Sequence, residues 1–306
     1  MSVTIYDIAD RAGVSIATVS RVFSGRGAVA ERTRRRVFAV AEELGYKPNA
    51  SARSLARRKT RVVAAVVPML TSYFFMELVR GVQDRLREDD YDLLVYTLRT
   101  PDRADGQLSR AAQRGRADGV LLCSIHPQEE EARMLHDSGL PVVLVDAAHA
   151  EFDCVCVNNR EGGYLATKHL LDRGFRRIAF LAPDATSVPG LERRAGYEAA
   201  LREDGVEVDE ALVISGPEKD YDGYSPEAGY RAMRELLARD GRPEAVFAAS
   251  DAQALGALKA VREAGLRVPD DLALIGFDDI QTSDYAGLST LQQPTYEMGR
   301  VAAGKL

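Results

Sequence analysis

Ile16, Ala17, Ser20 and Arg21 recur at i, i+1, i+4 and i+5 and so share one side of a short helical run, while Val19, Val22 and Phe23 fall on the other. An outward-facing Ile beside an outward-facing Ala has no folding task. In the major groove of DNA those two side chains could touch thymine methyls. Arg21 could donate two hydrogen bonds to guanine O6 and N7, a contact worth about 1 to 3 kcal/mol of base discrimination. Ser15 stands before the run as an N-cap.

Other chemistries find no support in the sequence. The stretch Gly299 to Lys305 has phosphate-loop spacing, but Leu306 replaces the required Ser or Thr and no strand precedes it, so it reads as a helix fragment. His126, His136, His149 and His169 lack ligand spacing, and the period of two between Cys154 and Cys156 suits strand side chains better than a metal. No nucleophile elbow occurs. No enzyme activity, cofactor or metal is expected, and Cys123, Cys154 and Cys156 are all read as buried small hydrophobes.

The elements that must position the reading face are short. Ile5, Ile8, Ala9 and Ala12 mark one helix between Thr4 and Gly13, the run above is the second, and Val37, Val40, Ala41 and Leu44 define a third from about Glu31. Helix, glycine-containing turn, helix is the order of a helix-turn-helix. Pro48 ends this unit, and the polar, basic stretch from Asn49 to Arg61 is too short to be a stable helix alone.

From Val62 onward, apolar runs (Val62–Val67, Leu93–Tyr96, Gly119–Cys123, Val142–Val145, Ile178–Leu181, Ala245–Ala248, Leu272–Gly276) alternate with amphipathic helices. That alternation predicts parallel sheets covered on both faces, divided into two doubly wound lobes with a ligand crevice between them. Charge divides at the same place. Residues up to Arg61 carry 13 Lys and Arg against 5 Asp and Glu, and the remainder carries 27 against 41. A basic head on an acidic body points to a polyanion-binding module joined to a part with other partners. No run approaches the roughly 18 apolar residues of a membrane helix, and the start lacks a secretory signal, so a cytoplasmic, nucleoid-associated protein without membrane contact is expected.

Longer motifs then become specific. Ile5-Tyr6-Asp7-Ile8-Ala9, Ala12-Gly13-Val14-Ser15, Ala17-Thr18-Val19-Ser20-Arg21-Val22 and Glu43-Leu44-Gly45-Tyr46-Lys47-Pro48-Asn49-Ala50 resemble the head of the lactose-repressor/galactose-repressor family of bacterial transcription regulators. The body continues the match through Val143-Leu144-Val145-Asp146, Gly163-Tyr164-Leu165-Ala166-Thr167, Ser250-Asp251 and Ile275-Gly276-Phe277-Asp278-Asp279-Ile280.

The resemblance implies an all-α helix-turn-helix DNA-binding head and a periplasmic-binding-protein-like α/β body of two doubly wound parallel-sheet lobes. It implies a head over 1–48, a hinge over 49–61 and an effector-binding and dimerisation unit over 62–306, with the first lobe at about 62–158 plus 290–306 and the second at about 159–289. The DNA-contacting positions it implies are Tyr6, Ser15, Ile16, Ala17, Thr18, Ser20, Arg21, Asn49, Ala52 and Leu55. Leu55 would wedge into a base step of the minor groove, kinking the duplex. The effector positions it implies are Tyr73, Phe74, Asp146, Arg193, Tyr224, Ser250 and Asp278. A homodimer on a palindromic operator, a repressor controlled by a small molecule, is the expected whole. A sugar is the first choice of effector and a purine or other nucleobase the second. A small-molecule binding protein with a nonspecific basic head, and an architectural nucleoid protein, are the readings from other classes. Two positions depart from the family: Ala30 stands where Ser is usual before the third helix, and Ser24 where Asn is common. The end at Leu306, about where the family enters its last helix, reads as a truncation.

Overall fold

The computed structural model describes residues 3–24, 27–46, 59–98, 106–215 and 223–306. The head contains α1 (Ile5–Ala12), α2 (Ile16–Ser24) and α3 (Glu31–Glu43). Helix α1 starts where the Thr4 backbone N–H and hydroxyl both donate to Asp7 at 2.7 Å, and it stops at Gly13, whose φ of 61° suits a residue without a Cβ. Ile8, Ala9, Ala12, Val19, Val22, Val37, Val40 and Ala41 close a small core, with Phe23 packed against Phe38 and Tyr46 at its edge. Ala30 offers α3 no side-chain cap; only its carbonyl serves, accepting from the N–H groups of Thr33 and Arg34.

The body holds two five-stranded sheets. Strands β1 (Val62–Val67), β2 (Asp92–Thr97), β3 (Gly119–Cys123), β4 (Val142–Val145) and β5 (Asp153–Val155) lie in the order β2-β1-β3-β4-β5. Strands β6 (Ile178–Ala182), β7 (Val213–Ser215), β8 (Ala245–Ala248), β9 (Ala273–Asp278) and β10 (Ser289–Gln292) repeat it as β7-β6-β8-β9-β10. Every strand pairing is parallel. Alternate residues of each strand enter different cores: Val63, Ala65 and Val67 pack on one face of the first sheet, Ala64 and Val66 on the other. The helices are α4 (Tyr73–Glu88), α5 (Gln107–Ala111), α6 (Glu129–Ser138), α7 (Asn159–Asp172), α8 (Val188–Glu203), α9 (Pro226–Ala238), α10 (Asp251–Glu263), α11 (Gln281–Ala286) and α12 (Thr295–Lys305). Helix α12, which contains the stretch read as a helix fragment, packs against α4 of the first lobe.

Helices α7 and α8 pack backbone to backbone. A Cβ on Gly163 would collide with the Arg193 carbonyl, and one on Gly196 with the Arg160 carbonyl. This close crossing fixes the height at which Arg193 projects. The short edge strands β5, β7 and β10 are half-exposed and carry no long apolar run, so the pattern read from the sequence passes over them. One expectation is corrected. Cys123 is buried, but Cys154, on the strand β5 at the sheet edge, and Cys156, just beyond its end, are exposed.

Candidate nucleic-acid interface and ligand cleft

The second helix of the head presents the expected face. The Ser15 hydroxyl accepts from the Thr18 backbone N–H at 3.1 Å and bonds the Thr18 hydroxyl at 2.9 Å, which fixes the first turn of α2. From that start Val19 and Val22 turn inward, whereas Ile16 is 42% exposed, Ala17 and Arg21 are exposed, and Ser20 is half-buried. Tyr6, on α1, is 65% exposed. Asn49, Ala52 and Leu55 lie outside the described residues. Where the chain resumes, Thr60 and Arg61 are tied to the first lobe: Asp118 accepts from both of their backbone N–H groups and from the Thr60 hydroxyl, at 2.7 to 2.9 Å. The segment leading from the head therefore enters the body under the grip of a carboxylate at the foot of β3.

The second site lies beyond the carboxyl ends of the strands, where parallel sheets place their ligands. Asp146 follows β4, and its Oδ2 accepts from the hydroxyl of Ser124, which follows β3, at 2.8 Å. From the second lobe comes Arg193, only 3% exposed on α8. Its Nε donates to Asn159 Oδ1 at 2.9 Å and its Nη1 to the Ala249 carbonyl at 2.5 Å. The guanidinium carbon sits 3.9 Å from the centre of the Phe277 ring and 6.0 Å from that of Tyr224. The Tyr224 hydroxyl bonds Ser187 at 2.8 Å, and Ser187 caps α8 by accepting from the Gly190 N–H. Asp278, at the end of β9, accepts from Gln293 Nε2 at 2.6 Å. Ser250 is buried at the start of α10, where its hydroxyl accepts from the Gln253 N–H at 3.2 Å.

Charge binds these groups into one unit. Burial pushes the Asp146 carboxyl above the usual carboxylate range, against the pull of Arg193, the Ser124 hydroxyl and His126. Burial likewise pushes Asp278 up to about 7, with Arg193 opposing and the nearby Asp251 and Asp146 carboxylates adding to the rise. The Tyr224 hydroxyl goes up to about 12 for the same first reason. Among the described residues no carboxylate lies within ion-pair distance of Arg193, whose donors go to Asn159 and the Ala249 carbonyl instead of to Asp278. Ser124, Asp146, Asp278 and Asp279 hold φ values of 51°, 55°, 127° and 58°. Non-glycine residues in this region are strained, and such strain gathers at functional sites.

The expected residues thus divide. Asp146, Arg193, Tyr224 and Asp278 meet electrostatically, and Ser250 sits as a buried cap beside them. Tyr73 and Phe74, at the start of α4, line an adjoining cavity of about 210 Å³ with Glu77, Asp278, Asp279, Gln293 and Glu297. A separate, wider depression of about 650 Å³ lies on the first lobe between Ser109, Arg114, Arg133 and Asp137, away from this chemistry. Sequence reading missed Ser124, Asn159, Ser187, Gln253 and Gln293. The signal that could have found them was position: each is a polar residue at a strand's carboxyl end, at a helix start or on the crossover between lobes. Asp251, noted only as part of a motif, is a structural hub that accepts from the Ile280 N–H and from the Ser283 and Thr290 hydroxyls at 2.6 to 3.0 Å.

Residues 4–49 match the family model described as bacterial regulatory proteins, lacI family, and residues 167–306 match a periplasmic binding protein-like domain. The chain is 36% identical over 305 residues to the HTH-type transcriptional repressor PurR of Mannheimia succiniciproducens, covering 98% of this chain and 89% of that protein. Against PurR of Escherichia coli the identity is also 36%, over 310 residues, with 99% and 89% covered. Among solved structures it is similar to a complex of the transcriptional regulator CelR with cellobiose, at 36% identity and a TM-score of 0.72, covering 99% of this chain and 91% of that one. It is also similar to the lac repressor dimer bound to operator and the anti-inducer ONPF, at 26% identity and a TM-score of 0.86, covering 100% and 92%.

Proposed function

The chain belongs to the LacI family of bacterial regulatory proteins, and from that premise we propose how its two sites work together and what the effector is. It is a DNA-binding repressor controlled by a small molecule, working as a homodimer on operator DNA. Residues 1–48 are the operator-binding unit, 49–61 the hinge and 62–306 the effector-binding and dimerisation unit, and the protein works in the cytoplasm. Two copies related by a twofold axis read a palindrome, with Ile16 and Ala17 against thymine methyls and Arg21 on guanine. Tyr6, Ser15, Thr18, Ser20 and Asn49 position the head, while Ala52 and Leu55 act in the minor groove at the operator centre.

The effector is a sugar bound between the lobes by Asp146, Arg193, Tyr224 and Asp278, with Tyr73, Phe74 and Ser250 around it. One observation carries this choice. Among the described residues, Asp146 Oδ1, Gln253 Oε1 and Gln293 Oε1 are buried beside the cleft without a hydrogen-bond partner, and all three are acceptors. The orientation of both amides is fixed, because Gln253 Nε2 donates to the Ala182 carbonyl and Gln293 Nε2 to Asp278. Orphan acceptors call for a ligand rich in donors, and a polyol supplies hydroxyls at that density. The relative solved with cellobiose supports the same class. A nucleobase is the second reading, favoured by the aromatic rings of Tyr73 and Phe74 at the cavity.

Closure of the lobes on the effector moves the first lobe, and the Asp118 grip on Thr60 and Arg61 passes that movement to the hinge. A coupling of about 1 to 3 kcal/mol would change operator affinity about 5- to 150-fold. The test is a thermal-shift screen of mono- and disaccharides against purines, repeated with Arg193→Ala. Stabilisation by purines alone, or by a sugar whose effect survives Arg193→Ala, would overturn the assignment. For the head, footprinting with Arg21→Ala and Leu55→Ala decides: wild-type protection by both variants would remove Arg21 from base reading and Leu55 from the minor groove. Equal affinity for selected and random duplexes at every salt concentration would leave only a nonspecific binder.

A further inference from the structure

Where β5 ends, Val155 and, two residues on, Val157 pack against the core of the first lobe, while Cys154 and Cys156, before and between them, are exposed. Even a fully extended step of two residues holds Cα atoms about 6.4 to 6.8 Å apart, the upper end of what a disulfide spans, and here the Cys154 and Cys156 side chains already meet in a hydrogen bond. The remaining cysteine, Cys123, is fully buried. Solvent therefore meets this pair of thiols and no other.

We propose that Cys154 and Cys156 form a reversible thiol–disulfide site that acts on the effector cleft. The connection is short in both directions along the chain. Cys156 Sγ donates to the Ala147 carbonyl at 3.2 Å, and Ala147 follows Asp146. Three residues after Cys156, Asn159 accepts from Arg193 Nε. Turning Cys156 Sγ toward Cys154 gives up the bond to Ala147 and draws on the crossover that carries Asn159, so the oxidised pair alters Asp146 and Arg193 together.

The partner oxidant is a low-molecular-weight disulfide. The Cys154 thiolate attacks one sulfur of that disulfide, forming a mixed disulfide and expelling one thiolate. The Cys156 thiolate then attacks Cys154 Sγ and expels the second. Both protein protons end on the two released thiols, so the protein loses two hydrogens and the small disulfide gains them. Burial and the adjoining Cys154 push the Cys156 thiol up to about 11. That assigns attack to Cys154 and resolution to Cys156, and it makes the second step faster as pH rises.

Native protein incubated with oxidised glutathione and weighed intact tests the site. The wild type is expected to end two hydrogens lighter with no glutathione attached, and to return to its starting mass with dithiothreitol. Cys154→Ser and Cys156→Ser are expected never to lose two hydrogens, while Cys123→Ser behaves as wild type. A wild-type end state that is unmodified, glutathionylated or linked between chains overturns the site. Amide hydrogen exchange of the oxidised protein tests the connection: a several-fold change at Ala147 and Asn159 is expected, and unchanged exchange there overturns the link to the cleft.

Discussion

The exposed side of α2, proposed to face the operator, and the interlobe cleft use their polar groups in opposite ways. On α2 the proposed reading residues are exposed and the packing is done by others: Val19 and Val22 are in the core, while Ile16, Ala17 and Arg21 face outward. In the cleft the proposed binding residues also hold the fold. Arg193 bridges Asn159 and Ala249 and covers Phe277, Ser187 bonds Tyr224 and caps α8, and Ser250 caps α10. Recognition and stability are thus separable in the head and joined in the cleft, and substitutions should show it.

The largest effect is expected for Arg193→Ala. It leaves Asn159 Oδ1 and the Ala249 carbonyl without their donor and removes the cation that draws on both Asp146 and Asp278. Loss of a buried charged donor with several partners should cost about 3 kcal/mol of stability, along with effector binding. Chemical denaturation of the effector-free protein measures the first, and an unchanged midpoint would separate the two roles after all. Arg21→Ala should do the reverse. Its exposed side chain predicts a stability change within about 0.5 kcal/mol. Affinity for an operator selected from random sequence should fall by about 1 to 3 kcal/mol, with preference lost at one base pair in each half-site. A uniform fall across sequences would make Arg21 a phosphate contact.

The same contrast explains what could be read from the sequence. The exposed face of the head was legible residue by residue, because a helix of nine residues shows that face through a break in periodicity: an apolar pair where a polar face belongs. The long apolar strands were legible too, since burial on both faces leaves continuous runs such as Val62–Val67. The short edge strands β5, β7 and β10 were not. Asp153–Val155 leaves one polar and one thiol side chain exposed, and nothing in three residues separates a strand from a loop. Composition also placed Cys154 and Cys156 in the interior, because the general preference of cysteine for burial carries no information about which strand lies at an edge. In the cleft, resemblance supplied Asp146, Arg193, Tyr224 and Asp278, but their buried partners come from loops distant in sequence. Ser124, Asn159 and Gln293 become neighbours of these residues only once both sheets are wound.

The pH dependence of stability sharpens the contrast from the side of the cleft. Asp278 titrates near 7 in the folded chain, above its unfolded value near 3.8. Between those values the folded state holds a proton that the unfolded state has lost, so this group favours folding fully at low pH and loses that contribution as pH rises through 7. Asp278→Asn should flatten the fall of the melting temperature between about pH 4 and pH 7 while leaving the head's operator contacts intact. Arg21→Ala should leave the same slope untouched. A wild-type slope that persists in Asp278→Asn would assign the titration to another group, with Asp146 the first to examine, since burial raises it as well.

The smallest change sharpens the contrast from the side of the head. Helix α3 begins at Ala30, which contributes only its carbonyl, so the first N–H groups of that helix lack the hydroxyl acceptor that Ser would bring. Ala30→Ser should add about 0.5 to 2 kcal/mol to the stability of the head, read from amide exchange of Val37 and Val40 in its core. Neither residue 30 nor the core of α3 belongs to the exposed face of α2. Operator affinity should therefore hold within about twofold, because surface changes away from a contact perturb it little. If the better cap also tightened DNA binding, the reading face would depend on the rigidity of its support, and the head would resemble the cleft more than its exposed side chains suggest.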